Sequence, residues 1–267
     1  MSPWPYPRVL AHRGGGAFAP ENTIAAIRIG RDRGFHGVEF DVTLCADDEP
    51  VLMHDATLDR TTDGKGAVAA RTCGELARLD AGAWFSPDFA GERIPRLIEV
   101  IDYCRAHQVW MNAEIKPAAG AERRTGQRVA QILAERFADV APPADAASGR
   151  CDRQLPLLSS FSGEALAAAR DAAPELPRGL LCQRIPRDWL DQLRRLQCVA
   201  LHCDHRYLDA PSIAAIRGEG YRILVYTVND RNRAIRLAQW GIDALCTDRL
   251  DRIEPSLLDD IAGTTVD

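Results

Sequence analysis

Short apolar runs alternate with longer amphipathic ones along almost the whole chain. The short runs are Val9–His12, Val38–Val42, Val109–Ile115, Pro156–Phe161, Arg178–Cys182, Val199–Cys203, Ile223–Val228 and Ala244–Thr247, and they read as strands. Apolar residues at helical spacing follow over Glu21–Arg33, Leu97–His107, Gly126–Phe137, Gly163–Ala173, Arg187–Leu196, Pro211–Glu219, Asp230–Trp240 and Pro255–Ile261. Pro211, Asp230 and Pro255 are helix-start residues. Strand and helix in strict alternation, eight times over, predict a parallel α/β fold, the TIM (β/α)8 barrel. A chain of 267 residues suits one such domain.

One stretch interrupts the alternation. Pro50–His54 is an additional short strand, reached from Val38–Val42 through the polar turn Ala46-Asp47-Asp48-Glu49. Onward to Pro95 the chain carries Gly64, Gly66, Gly74, Gly82 and Gly91 and no long amphipathic helix. Residues 45–96 are therefore expected to form an insertion after the second strand, lying over the C-terminal mouth of a single barrel domain. Val140–Gln154, rich in Ala, Pro, Asp and Gly, reads as a solvated connection at the opposite end.

Composition narrows the picture without changing it. Hydrophobic residues make up 46% and charged ones 27%, the balance of an ordinary globular protein. The net charge of −5 provides no general field for nucleic acid or an anionic membrane, so any phosphate must be met by a local cation cluster. Met1–Arg8 holds three prolines and has no signal-peptide pattern, and no apolar run approaches the roughly 18 residues of a membrane span. No stable membrane insertion is expected. The eight cysteines are scattered with no Cys-x-x-Cys pair, which suits a reducing cytoplasm.

The chemistry sits at strand ends. Residues two apart on a strand face one side, so Glu39 pairs with Asp41 and Glu114 with Lys116. With His12 and Arg13 at the end of the first strand, six polar side chains converge on three neighbouring strand ends, at the end where barrel active sites form. Three clustered carboxylates repel each other unless a cation sits among them. Oxygen ligands without cysteine call for a hard divalent ion, Mg²⁺ or Ca²⁺. Arg13 and Lys116 add fixed positive charge suited to a phosphodiester. His12 and His54 are the candidate proton carriers, since P–O cleavage needs one proton removed and one delivered. The competing reading makes Glu39 and Asp41 salt-bridge partners of Arg13 and Lys116 that hold the barrel together. Convergence on three adjacent strand ends favours a site.

Other polar residues carry less. His202-Cys203-Asp204-His205 looks like a metal cluster, but His202 and His205 fall on opposite faces of a strand, which favours a packed or pocket-lining histidine over zinc. Asn229, Thr247 and Asp248 reach the mouth, where capping and loop hydrogen bonding account for them as well as ligand contact does.

His12-Arg13-Gly14, Pro20-Glu21-Asn22-Thr23, Glu39-Phe40-Asp41, His54-Asp55, Glu114-Ile115-Lys116, Tyr226-Thr227-Val228-Asn229 and Gly241–Asp248 together resemble the glycerophosphodiester phosphodiesterases, in family order from about Val9 to about Ile253. Length and the run Ala19–Ala26 are most similar to the bacterial cytosolic members. The resemblance implies a TIM barrel with a small insertion after strand two. It assigns His12 and His54 as general acid and base, Glu39, Asp41 and Glu114 as metal ligands, and Arg13 and Lys116 as phosphate-binding cations. The implied reaction is metal-dependent hydrolysis of glycerophosphodiesters such as glycerophosphocholine or glycerophosphoethanolamine to sn-glycerol 3-phosphate and an alcohol. Many members carry Trp where Tyr226 stands, which bears on headgroup preference. Two rivals share the constellation. A lysophospholipase D needs an apolar groove, for which Trp84, Phe85 and Phe89 are interrupted by Ser86, Pro87 and Asp88. A catalytically silent phosphodiester-binding barrel sits poorly with an intact set of His12, His54, Glu39, Asp41 and Glu114. From the fold alone, an unrelated metal-dependent barrel enzyme such as an aldolase is a third; the lack of a lysine poised in an apolar strand weakens it, though metal-dependent aldolases need none.

Overall fold

A computed structural model describes residues 4–140 and 155–263. Its strands, in chain order, are β1 (Val9–Ala11), β2 (Gly37–Leu44), β3 (Pro50–Leu52), β4 (Trp110–Ile115), β5 (Leu157–Ser160), β6 (Arg178–Cys182), β7 (Ala200–Asp204), β8 (Arg222–Tyr226) and β9 (Ala244–Thr247). All but β3 pair in parallel around a closed ring, with β9 returning to β1 through Val9↔Leu245 and Ala11↔Thr247. The expected eight-stranded barrel is what forms. Helices α1 (Ile24–Asp32), α2 (Cys73–Leu76), α3 (Leu97–Ala106), α4 (Glu122–Arg136), α5 (Gly163–Ala172), α6 (Trp189–Leu196), α7 (Ala210–Gly218), α8 (Arg231–Trp240) and α9 (Leu257–Gly263) complete the chain, and all but the short α2 are the barrel's own. Of the expected solvated connection, residues 141–154 lie outside the described residues.

Strand alternation sorts the side chains into two layers. On β4, Met111, Ala113 and Ile115 point outward into the main apolar core beneath the helices, while Trp110 points inward. The inner layer at the N-terminal end is dry: Leu10, Leu157, Ala200, Leu224 and Ala244 pack with Trp4 and Tyr6. The Tyr6 and Trp110 rings stack at 4.2 Å, and the Trp110 indole N–H donates to Leu155 O at 2.8 Å. This plug closes one end of the barrel, so polar groups collect at the other.

The second strand is longer than its apolar pattern. From Val42, its last residue paired with β4, β2 runs on to Leu44 and pairs antiparallel with β3 through Val42↔Leu52 and Leu44↔Pro50. The segment that follows has a buried cluster of its own, including Cys45, Val51, Met53, Leu58, Val68, Leu76 and Ile94. It carries α2, capped by Thr72 with Glu75 bonding back, and three-residue 3₁₀ turns at Val68–Ala70 and Pro87–Phe89.

Candidate active site

Register brings the three acids together. On β2 the pleat turns Glu39 and Asp41 inward, and parallel pairing sets Asp41 opposite Glu114 of β4. One carboxylate oxygen from each of Glu39, Asp41 and Glu114 lies within 4.8 Å of the other two. Glu39 and Asp41 are only 4% and 2% exposed. Burial pushes Glu39 and Glu114 well above the usual carboxylate range, and the charge on Asp41 adds to the effect. Asp41 goes the other way: burial opposes its ionisation, but Arg13, Lys116 and the Asn22 amide outweigh it. Three buried acids this close, with oxygen donors only, form a possible acidic metal site.

Asn22 fixes Asp41. Its amide donates to Asp41 Oδ2 at 2.8 Å, and its carbonyl oxygen accepts the Asp41 backbone N–H at 3.0 Å. The arrangement requires Asn22 at φ 59, a left-handed conformation tolerated by asparagine. So α1 starts at Ile24 with Thr23 as its cap, later than the expected Glu21.

Two cations flank the acids. Arg13 sits in the turn after β1; its backbone N–H donates to Glu39 Oε2 at 3.1 Å and its Nη1 to Glu21 Oε1 at 2.7 Å. Its Nε is buried 3.6 Å from Asp41 Oδ2 and has no hydrogen-bond partner among the described residues. The Lys116 ammonium lies 3.3 Å from Glu114 Oε1 and 3.6 Å from Asp41 Oδ1. The salt-bridge reading is thus met at Asp41, which pairs with both cations, but at Glu39 the contacts are the Arg13 backbone N–H and His12.

Both histidines are held from behind. His12 Nδ1 donates to Asp248 Oδ1 at 2.6 Å, and its Nε2 faces Glu39 Oε2 at 3.8 Å. His54 Nδ1 donates to Asp55 Oδ1 at 2.7 Å. A carboxylate only accepts, so each ring is fixed with hydrogen on Nδ1 and leaves Nε2 to exchange protons. Burial alone would lower His12, but its bond to Asp248 and the charge on Glu39 raise it above its ordinary value. Burial dominates at His54 and lowers it, although Asp41 and Asp55 pull the other way. A cleft of about 170 Å³ is lined by His54, Asp55, Val68, Thr43, Lys116 and Pro117. A larger hollow, about 460 Å³, opens against Trp110, Phe137 and Val140 and contains none of these groups.

Asp248 is a partner the sequence reading placed at the mouth without a role. Asn229 orients it, donating to Oδ2 at 2.9 Å and accepting the Asp248 backbone N–H at 2.8 Å. Glu21, a member of the Pro20–Thr23 motif with no role assigned, bonds Arg13 and Arg60, and Arg60, which the sequence reading did not single out, bonds Asp55. The signal for Arg60 in the chain is its proximity to His54-Asp55. The two histidines near β7 part company: His202 is wholly buried inside the barrel, and His205 begins a 3₁₀ turn and accepts from Arg233 Nε at 3.4 Å. At the rim, Phe161 is 52% exposed and meets the Tyr226 ring edge-to-face at 6.1 Å. Trp84, Phe85 and Phe89 pack edge-to-face on one another at 5.7 and 5.6 Å. No helix among the described residues is long and apolar enough to cross a membrane.

Comparison with known proteins shows the family to which the chain belongs. A glycerophosphodiester phosphodiesterase of Caldanaerobacter subterraneus subsp. tengcongensis is 32% identical over 241 residues, which covers 90% of this chain and 93% of that protein. An Oleispira antarctica phosphodiesterase, solved in complex with the product sn-glycerol-3-phosphate, superposes with a TM-score of 0.82 at 33% identity over 96% of this chain and 97% of its own. A glycerophosphodiester phosphodiesterase of Agrobacterium tumefaciens follows at TM-score 0.73 and 26% identity, covering 95% and 99% of the two chains. The model of the glycerophosphoryl diester phosphodiesterase family matches residues 12–252, and the chain belongs to that family of phosphoric diester hydrolases.

Proposed function

We propose that this chain hydrolyses glycerophosphodiesters such as glycerophosphocholine and glycerophosphoethanolamine to sn-glycerol 3-phosphate and the alcohol. The observation that carries the reading is one convergent cluster: three carboxylates, two cations, and two histidines each free at Nε2. The sn-glycerol-3-phosphate complex of the Oleispira relative supports the glycerol phosphate half.

Glu39, Asp41 and Glu114 would hold one divalent cation, Mg²⁺ or Ca²⁺, and its positive charge would relieve the repulsion among them. Such an ion supplies Lewis-acid polarisation of the phosphoryl oxygen and stabilises developing negative charge. Arg13 and Lys116 bind the phosphodiester anion. The buried Arg13 Nε is a donor with no hydrogen-bond acceptor among the described residues, which suits a phosphate oxygen. His12 and His54 move protons at Nε2: one takes the proton of the attacking oxygen, the other returns one to the leaving alcohol. Phe161 and Tyr226 stand on the rim where the leaving alcohol would lie. Free cysteines among the described residues support the cytoplasmic setting that belongs to this reading.

The test is release of sn-glycerol 3-phosphate from glycerophosphocholine by metal-stripped protein, with Mg²⁺ or Ca²⁺ then added back. We expect release only with a divalent ion, and the restoring ion names itself. Metal-independent release would remove the ion from the mechanism. Turnover of lysophosphatidylcholine in place of glycerophosphocholine would move the substrate class.

A further inference from the structure

Arg60 touches neither the acids of the metal site nor the two flanking cations, yet its bonds tie together the groups around them. Its Nε donates to Asp55 Oδ2 at 2.7 Å and its Nη2 to Asp55 Oδ1 at 3.1 Å. The same guanidinium gives Nη1 to Glu21 Oε2 and Nη2 to Glu21 Oε1, both at 2.7 Å. Glu21 also accepts Arg13 Nη1, and Asp55 accepts His54 Nδ1. One unbroken line therefore runs His54–Asp55–Arg60–Glu21–Arg13. Only a planar, multidentate cation can clamp two carboxylates in this way.

His54 needs such support more than His12 does. His12 directly follows β1, and the Asp248 that orients it directly follows β9 and is held by Asn229. His54 follows β3, whose pairing with β2 runs from Val42↔Leu52 out to Leu44↔Pro50. The Met53 N–H tethers the main chain to Asp41 O at 3.1 Å, but this backbone pairing does not orient the imidazole. Its ring is held by Asp55, and Asp55 in turn by Arg60. Glu21, in the loop between β1 and α1, is the barrel anchor.

We propose that Arg60 is the positioning residue that fixes His54 over the barrel mouth, by locking Asp55 onto Glu21. The inference rests on the reading of His54 as a proton carrier. Arg60 is 44% exposed, and exposed ion pairs contribute little to folding, so the effect belongs in the rate. A displacement of about 1 Å at a reacting group can cost on the order of a hundredfold.

A double-mutant cycle tests it. We compare His54→Ala, Arg60→Ala, Arg60→Lys and the double variant His54→Ala/Arg60→Ala on glycerophosphocholine at saturating divalent ion. Arg60→Ala should lower kcat about 10- to 100-fold with KM within about twofold. Arg60→Lys should lose nearly as much, because an ammonium keeps the charge and lacks the fork. In the His54→Ala background, removing Arg60 should cost less than about twofold. An equal loss in both backgrounds would overturn the inference while leaving His54 as a proton carrier. A wild-type rate for His54→Ala would sink both. The His54 ring signals in NMR, assigned by difference from His54→Ala, give a readout that needs no turnover. They should shift and broaden in Arg60→Ala, and unchanged signals would overturn the proposal.

Discussion

His12 and Asp248 stand 236 positions apart and share the shortest hydrogen bond made by either histidine of the site, 2.6 Å. That bond decides which nitrogen works. With Asp248 ionised, hydrogen stays on Nδ1 and Nε2 faces the acids. An asparagine can donate its own N–H to Nδ1 and so favour the opposite tautomer. Asp248→Asn should therefore lower kcat by about a hundredfold or more with little change in KM, approaching the loss in His12→Ala. Steady-state kinetics on glycerophosphocholine check this, and a rate within a few-fold of wild type would show that Asp248 is only a loop residue. Glu39, Asp41, Glu114 and Lys116 were legible in the sequence because period-two alternation on neighbouring strands dictates which side chains share a face. The Asp248 bond was not. It depends on how β9 closes against β1 and on two side-chain rotamers, neither of which a linear pattern records.

At the scale of elements, most strands and helices stand where hydrophobic periodicity put them, and the departures have local causes. The pattern starts α4 at Gly126, whereas the helix begins at Glu122 because its first turn, Glu122-Arg123-Arg124, is polar and carries no apolar signal. The left-handed Asn22 delays α1. The turn between β1 and α1 is the most constrained of these junctions. Gly16 adopts φ +55, its N–H bonds to His12 O at 2.9 Å, and the next residue, Ala17, donates to Asp248 O at 2.9 Å. A Cβ on Gly16 would lie 2.4 Å from that same Asp248 oxygen. Gly16→Ala should then push Asp248 away from His12 as well as strain the turn. We expect a stability loss of roughly 1–3 kcal/mol, seen as a lower thermal midpoint, together with a fall in kcat. Retention of both midpoint and rate would show that the Asp248 loop yields freely.

Across the whole molecule, the barrel interior runs from a dry aromatic plug to the charged mouth, with His202 buried between. Its ring is 0% exposed, neither ring nitrogen has a hydrogen-bond partner among the described residues, and its Nε2 lies 2.4 Å from where a Cβ on Gly179 would be. A glycine on the neighbouring strand thus makes room for an imidazole that burial lowers to about 3. Unfolding restores an ordinary imidazole near pH 6.5. Between these values the unfolded chain binds a proton that the folded chain refuses. The contribution is complete above about pH 6.5 and is lost as pH falls toward 3, by up to about 1.4 kcal/mol per pH unit. Carboxylates elsewhere also titrate in this range, so the informative quantity is the difference between two proteins. Urea unfolding of wild type and His202→Leu from pH 4 to 7 should give stability curves whose slopes differ by close to one proton below pH 6, with the variant the flatter. Parallel curves would mean that His202 takes up its proton in the folded barrel. In that event the polar mouth would extend one layer deeper into the interior than the side-chain contacts indicate.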